Sequence, residues 1–328
     1  MRYSVEASLW HPVAASDDVA EAPVAVTLLE QALVLWRDAQ GAVRAMPDRC
    51  PHRGARLSLG RVCDGRIECP YHGWQFDHQG QCRHVPALPG FVPPTTHSVA
   101  CHAVQEAYGL VWVRLQGAGG MLPAFAAEHE PALRTALCGP YDVASSAPRV
   151  VENFLDMAHF GFVHEGWLGA RAHTAVPDYR VEDTPTGLRA FDCRAWQPQS
   201  NLHSTAPALV AYGYEVTAPY AALLTKEPPP GTTAVAGWRE AIGLFICPVT
   251  PEYSRVWFRL AVADVETPDD ALRAFQHTIF TQDQPVLESQ QPKRLPLDVR
   301  AELHTAADRA SSTYRRFLQR SGITFGVC

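Results

Sequence analysis

Two short loops of similar composition, Cys50-Pro51-His52-Arg53 and Cys69-Pro70-Tyr71-His72-Gly73-Trp74, decide how this sequence folds and what it binds. Sixteen residues separate His52 from Cys69. Two thiolates and two imidazoles can hold either a zinc ion or an iron-sulfur cluster. One residue between Cys50 and His52 is short for two ligands of a single ion, which are usually separated by about two to four residues. The spacing therefore favours a cluster of two irons, with the cysteines on one iron and the histidines on the other.

The four residues Cys50, His52, Cys69 and His72 resemble the signature of the Rieske domain, Cys-x-His followed by Cys-x-x-His. The resemblance implies that they bind a 2Fe-2S Rieske cluster. Its two neutral histidine ligands raise the reduction potential to roughly −150 to +300 mV, a range suited to accepting electrons from a ferredoxin or flavin. A structural zinc site remains the alternative for these ligands.

The length and composition leave room for a second domain. At about 150 residues per domain, 328 residues predict two domains, which we place at residues 1–130 and 131–328. The net charge of −6 and the 47% hydrophobic content argue against a disordered chain or a strongly basic nucleic-acid binder. No apolar run reaches the roughly 18–20 residues that cross a membrane, and no secretory signal is visible. We therefore expect a cytoplasmic protein that binds neither nucleic acid nor a membrane.

A second group of metal-ligand residue types lies in the segment from Glu152 to His164. His159 and His164 are five residues apart, so on an ideal helix they would point about 140° away from each other. Joint binding of one ion requires the helix over 150–164 to bend or end between them, and we expect Gly161 to allow this. Taken alone, two histidines in an apolar segment are more typical of a protein core than of a metal site.

With Asn153 and Asp156 before them, these histidines resemble the Asn-x-x-Asp-x-x-His-x4-His signature of Rieske non-haem iron oxygenases. The resemblance implies that His159 and His164 bind Fe(II) with a third, carboxylate ligand, which we assign to Asp283 within 280–290. It also implies that Asp156 connects this iron to a Rieske histidine of a neighbouring subunit, and that Asn153 hydrogen-bonds near the iron.

The resemblance implies a terminal oxygenase that uses O2 as co-substrate. Electrons from NAD(P)H would arrive through a separate reductase or ferredoxin, because the sequence has no complete dinucleotide-binding fingerprint. The cofactors would be the Rieske cluster and mononuclear Fe(II), and the protein would form a head-to-tail homotrimer that pairs each cluster with the iron of the next subunit.

Several C-terminal segments look closest to the monooxygenase and demethylase branch, which includes vanillate, dicamba and methylxanthine demethylase-like enzymes. This branch implies monooxygenation of a small ring compound by O- or N-demethylation or C–H hydroxylation. Two alternatives remain open: cis-dihydroxylation of an aromatic ring, and a Rieske electron-transfer protein without oxygenase activity.

The implied fold class is α+β, with an N-terminal all-β Rieske domain and a catalytic domain in which an antiparallel sheet wraps around helices, as in helix-grip folds. Apolar periodicity predicts helices over 150–164, 269–291 and 298–319, the last capped by Asp298. Strand patterning fades between 120 and 147. We expect the substrate pocket between about 200 and 260, where Asn201, His203, Tyr212, Tyr214 and Trp238 are polar or aromatic candidates.

Overall fold

The structure is a computed structural model that describes residues 3–234, 237–264 and 266–328. It divides into two compact units, one ending at Gly120 and one beginning at Met121. The domain limits 1–130 and 131–328 stay a prediction.

The first unit is built from short antiparallel strands, after a single helical turn, α1 (Ser4–Ala7). The strands are β1 (His11–Ala15), β2 (Val24–Leu28), β3 (Gln31–Arg37), β4 (Val43–Pro47), β5 (Arg61–Cys63), β6 (Arg66–Glu68), β7 (Gln75–Phe76), β8 (Cys82–His84), β9 (Ala103–Ala107) and β10 (Leu110–Arg114). They form three small sheets of order β1-β10-β9, β2-β3-β4 and β5-β6-β7-β8. The two cysteine loops lie on either side of β5 and β6, next to the core that includes Trp36, Ile67 and Phe76. The predicted all-β character of this part of the chain is confirmed.

The second unit is a seven-stranded antiparallel sheet with helices against it. Its strands are β11 (Arg134–Val143), β12 (Arg180–Thr184), β13 (Gly187–Gln197), β14 (Ala208–Ala218), β15 (Ala221–Glu227), β16 (Glu240–Thr250) and β17 (Tyr253–Val262). They are arranged in the order β11-β17-β16-β15-β14-β13-β12. The helices are α2 (Ala147–Leu155), α3 (Phe160–Val163), α4 (Asp269–Ser289) and α5 (Arg309–Arg320).

Helices α2 and α4 pack against each other, α2 also contacts β15, β16 and β17, and α4 contacts β11. This arrangement confirms the α+β fold class with an antiparallel sheet against helices. Among the residues that the structure describes, no helix is long and apolar enough to cross a membrane.

Two predictions about local structure were wrong. The sequence indicated a loss of strand structure between 120 and 147, but this region contains β11. The alternation of buried and exposed residues along β11 is interrupted by a bulge between Cys138 and Tyr141. The last helix begins at Arg309 rather than Asp298. A capping box of Thr305 and Asp308 begins a 3-10 turn, Ala306–Asp308, which leads directly into this helix. Leu303, an apolar residue within the segment predicted to be helical, is fully exposed.

The helix predicted over 150–164 is two helices, and the expected reason for its break was wrong. Helix α2 ends at Leu155, and the Asp156 side chain then accepts a hydrogen bond from the Ala158 backbone N–H at 2.7 Å. Such a side-chain turn competes with helical bonding and ends the helix. Gly161 lies inside α3, where a Cβ atom would lie 3.0 Å from the Ala170 carbonyl oxygen. Its role is close packing rather than bending.

Candidate metal centres

The two cysteine loops have the same backbone conformation. The Cys50 carbonyl accepts a hydrogen bond from Gly54 N at 2.9 Å, and Cys50 N donates to Ala55 O at 2.8 Å. In the second loop the Cys69 carbonyl accepts from Gly73 N at 3.0 Å, and Cys69 N donates to Trp74 O at 2.8 Å. Gly54 and Gly73 have φ values of +74° and +71°, which favour glycine. The repeated sequence pattern therefore produces a repeated ligand-presenting loop.

The cysteines of these loops are buried, whereas His52 is half-buried and His72 is exposed. Cys50 and Cys69 are both 2% exposed, and the ring centroids of His52 and His72 are 4.5 Å apart. Burial raises the pKa of the Cys50 thiol to about 11, with a further contribution from Cys69, while backbone N–H groups of His52 and Arg53 oppose the rise. The N–H groups are placed to stabilise a sulfur anion, and a cationic centre would supply the rest of that stabilisation.

The donor set fits a two-iron cluster better than a single ion. The His52 Nδ1 atom is buried and has no hydrogen-bond partner among the described residues, as expected for a nitrogen reserved for a ligand bond. The described residues include one set of three or more His, Cys, Asp or Glu groups whose ligand atoms lie within 4.8 Å of one another. That set is elsewhere in the chain and contains none of the four loop residues. The loop ligands are therefore spread more widely than the ligands of one ion.

That set of three groups is His159, His164 and Asp283. His159 lies just before α3, His164 just after it, and Asp283 on α4. The two Nε2 atoms are 3.2 Å apart, and the Asp283 Oδ1 atom is 3.4 Å from His159 Nε2 and 3.3 Å from His164 Nε2. Three atoms at these separations share a point about 2 Å from each, which is the usual distance from a metal ion to nitrogen and oxygen ligands.

The outer hydrogen bonds of the two histidines keep their ring protons away from this point. His159 Nδ1 faces Asp156 Oδ2 at 3.2 Å, and His164 Nδ1 faces the Gln282 amide oxygen at 2.8 Å. Both partners accept, so each imidazole carries its proton on Nδ1 and directs an Nε2 lone pair at the same point. Burial lowers the pKa of His159, but Asp156 and Asp283 outweigh it and raise the pKa overall. The site therefore favours a positive charge among these three atoms, which suits a cation.

Asp156 and Asn153 flank the three ligand groups. Burial raises the pKa of Asp156, but hydrogen bonds from His159 and from backbone N–H groups lower it overall, so the carboxylate is charged. Its side chain is 29% exposed, so it connects His159 with the surface of this unit. Asn153 Nδ2 donates to Asp283 Oδ1 at 3.3 Å and so orients that carboxylate.

Other acidic residues near in sequence to Asp283 are committed to different partners. Asp264 Oδ2 lies 2.7 Å from His203 Nε2, Asp270 is exposed and pairs with Arg273, and Glu288 accepts from the Ala144 backbone N–H. None of these carboxylates belongs to the set formed with His159 and His164.

A cavity that is partly open to solvent ends at the three ligand groups; its empty space, including the part open to solvent, is about 710 Å³. One wall is the face of the sheet formed by β14 to β17, and the other comes from α2 and α4. The lining side chains are mostly apolar: Val150, Phe154, Phe160, Leu168, Leu224, Ile242, Leu244, Phe258, Phe275, Ile279 and Phe280. A reaction at this site is therefore largely shielded from water.

The pocket residues were only partly predicted. Of the five candidates named from sequence, Tyr212 lines the cavity, whereas His203 is bound to Asp264. Sequence reasoning missed Lys226, Glu240 and Gln276, which also line it. For Lys226 a signal existed, because it follows Ala222 and Leu224 at every second position of β15 and therefore lies on the same buried face.

Residues 9–103 match the Rieske 2Fe-2S domain, and residues 143–322 match the vanillate O-demethylase oxygenase C-terminal domain. The chain is 33% identical over 318 residues to methylxanthine N1-demethylase NdmA of Pseudomonas putida, covering 94% of this chain and 87% of the relative. It is 36% identical over 159 residues to the oxygenase component of dicamba O-demethylase of Stenotrophomonas maltophilia, covering 47% and 46%. The solved structure of P. putida CBB5 NdmA with caffeine aligns with a TM-score of 0.84 at 30% identity, covering 96% of this chain and 91% of that one.

Proposed function

We propose that this chain, which belongs to the Rieske oxygenase family with a C-terminal domain of the vanillate O-demethylase type, removes an O- or N-linked methyl group from a small ring compound. It is an oxidoreductase that uses O2, a Rieske 2Fe-2S cluster and mononuclear iron. Its role is that of a terminal oxygenase that receives electrons from a separate reductase. The observation that carries the demethylase proposal is the mostly apolar cavity that ends at His159, His164 and Asp283.

We assign the metal ligands as follows. Cys50, Cys69, His52 and His72 hold the cluster, while His159, His164 and Asp283 hold the mononuclear iron. Two histidines and one carboxylate form a ligand set that leaves positions for O2 and substrate on non-haem iron. The assignment is supported by the buried, partnerless Nδ1 of His52 and by the two Nε2 lone pairs that face Asp283.

The remaining site residues position these ligands and the substrate. Asp156 and Gln282 hold the two imidazoles in the tautomer that presents Nε2, and Asn153 orients Asp283. The apolar side chains of the cavity place a methyl group near the ligand set and exclude water. Iron held by His159, His164 and Asp283 would activate O2 with two electrons from the reductase, so that one oxygen atom is inserted into a methyl C–H bond and the other is released as water. The resulting hemiaminal or hemiacetal collapses to formaldehyde and a free N–H or O–H group.

The partners and location belong to the same proposal. Asp156, in contact with His159 and partly exposed, is suited to bridge His159 and a Rieske histidine of a second chain by hydrogen bonds, as the proposed homotrimer requires. The cytoplasmic location expected from the sequence stays a prediction. The alternative of a pure electron-transfer protein leaves the second ligand set and its cavity without a role.

The test is a reconstituted assay with a Rieske-oxygenase reductase, NADH and a panel of O- and N-methylated ring compounds. We expect oxygen uptake that depends on both substrate and reductase, formaldehyde release, and a product lighter by one methylene unit. A product heavier by two oxygen and two hydrogen atoms would indicate dihydroxylation instead. Absence of any product across the panel, from protein with both metal sites loaded, would contradict the proposal.

A further inference from the structure

The substrate cavity contains one pair of opposite charges that the metal sites do not use. Lys226 and Glu240 lie directly opposite each other on β15 and β16, with Nζ 3.8 Å from Oε2. Their side chains are only 5% and 10% exposed, and both line the cavity. Tyr212 faces Lys226 from β14, so three polar groups form one row across the sheet face.

The rows next to this one in the sheet are apolar. Tyr214, Leu224, Ile242 and Leu260 form the adjacent row, and Val216, Ala222, Leu244 and Phe258 form the one after it. An ion pair at the end of such a surface is costly, because burial removes both charges from water. Burial raises the pKa of Glu240 and lowers the pKa of Lys226, as expected for charges in these surroundings.

The pair has hydrogen-bonding capacity that the protein leaves unused. At 3.8 Å the two groups are beyond hydrogen-bond distance, and the structure records no hydrogen bond from either side chain to another described residue. The ammonium can donate three hydrogen bonds and the carboxylate can accept several. Together they offer a donor next to an acceptor, the complement of a ring edge that carries C=O beside N–H.

We propose that Lys226 and Glu240 determine substrate specificity by binding the amide or imide edge of a neutral ring compound and by rejecting aromatic carboxylates. The inference rests on the proposed function, since it names the substrate class of the same cavity. Lys226 donates to the carbonyl oxygen, and Glu240 accepts from the adjacent N–H. A carboxylate bound at Lys226 would lie beside the Glu240 carboxylate in a poorly hydrated space, where repulsion between like charges is strong.

The position of the pair agrees with this role. The Phe160 ring lies 6.0 Å from Tyr212 and 5.9 Å from His164, measured between centroids. The Phe160 ring therefore lies between the polar row and the metal-ligand set along the cavity wall. A planar compound held by its polar edge at Lys226 and Glu240 would lie against this ring, with its far side directed toward the ligands.

The experiment measures binding to the purified holoprotein by calorimetry, without reductase. The probes are two matched pairs: p-methoxybenzamide with p-methoxybenzoate, and theobromine, which has a ring N–H between two carbonyls, with caffeine, in which that nitrogen is methylated. For the wild type we expect the first member of each pair to bind about 10- to 100-fold more tightly, the range for a hydrogen bond to a charged group.

Two variants separate recognition from folding. Glu240→Gln keeps the shape and removes the repulsion, so its preference should reverse toward p-methoxybenzoate. Lys226→Met with Glu240→Leu removes both charges without leaving one unpaired, so this double variant should fold and bind both members of each pair within about threefold. Melting temperature and the visible absorbance of the cluster check that both variants are intact.

Intact variants that keep the wild-type ratios, or a wild type that prefers p-methoxybenzoate, would overturn the specificity proposal. Formaldehyde release with reductase is scored separately. If the binding ratios are as expected but no methylated compound is turned over, recognition by the pair stands and the demethylase function fails. If compounds are demethylated but the ratios are flat, the function stands and the pair is structural.

Discussion

Replacement of Asp156 by asparagine tests the electron path to the mononuclear site. The Asp156 carboxylate makes two bonds, one to the Ala158 backbone N–H at 2.7 Å and one to His159 Nδ1 at 3.2 Å. Asparagine can keep the first with its carbonyl oxygen. Its NH2 group would then face the Nδ1–H of His159, so two donors would meet where a charged acceptor stood.

The size of the effect follows from the lost bond. A hydrogen bond to a charged group contributes about 1.5–3 kcal/mol, and loss of an outer partner of a metal-bound histidine usually costs about 10- to 100-fold in metal affinity or activity. In buffer with excess ferrous ion we expect Asp156→Asn to keep both metals. Cluster reoxidation should slow by about 10- to 100-fold or more.

The assay is a single turnover. Protein with a pre-reduced cluster is mixed with substrate and O2, and the visible absorbance of the cluster is followed. Asp270→Asn is the matched control, because this carboxylate on α4 is 95% exposed and pairs only with Arg273. The control should reoxidise at the wild-type rate. A wild-type rate in Asp156→Asn, with iron retained, would refute the proposed path through this residue.

Three further sets of substitutions test the metal sites and the ion pairs behind them. Alanine at His159, His164 or Asp283 should remove mononuclear iron and turnover while the cluster spectrum stays; normal iron content in Asp283→Ala would mean that the carboxylate ligand lies elsewhere. Cys69→Ser should abolish the Rieske absorbance and its rhombic paramagnetic signal, whereas Cys101→Ser, a change at an exposed thiol, should preserve both. Arg315→Met should lower the free energy of unfolding by about 3–5 kcal/mol, because Glu152 and Glu302 lose a buried partner. The neighbouring Arg316→Met, at an exposed position that bonds only Thr313, should change stability by less than about 0.5 kcal/mol in the same denaturation experiment.

Most of the fold could be predicted from short-range patterns in the sequence. The cysteine loops were readable because each needs a glycine at a fixed offset and two ligands of fixed chemistry, all within six residues. Helix α4 was readable because its apolar residues repeat with helical period over 21 residues. Such signals depend on neighbours in the chain, and the sequence contains all of them.

The errors came from side chains that act locally against a periodic pattern. Asp156 ends α2 through its hydrogen bond with the Ala158 backbone N–H, although the apolar residues around it repeat with the period of a helix. Thr305 and Asp308 cap the short turn that leads into α5, which begins later than the apolar pattern predicts. A capping or turn-forming side chain outweighs a weak periodic preference, and the pattern of apolar residues does not reveal which side chain will do so.

The substrate-facing residues were the least predictable part of the site. Lys226 and Glu240 become neighbours only because β15 and β16 pair in a particular register across a connection of twelve residues, 228–239. Register is set by the packing of the whole sheet, so single residues in a strand give little indication of their partners. The resemblance to Rieske oxygenases identified the ligand residues, but it included no motif at Lys226 or Glu240.

The most direct test of the two-centre account is the iron and sulfide content of anaerobically purified protein, measured together with its paramagnetic resonance spectrum after reduction. The account predicts about three iron atoms and about two sulfide ions per chain, with a rhombic Rieske signal. It also predicts that Asp283→Ala retains the sulfide and the signal but loses about one iron. A colourless protein that contains zinc and no sulfide would contradict the account.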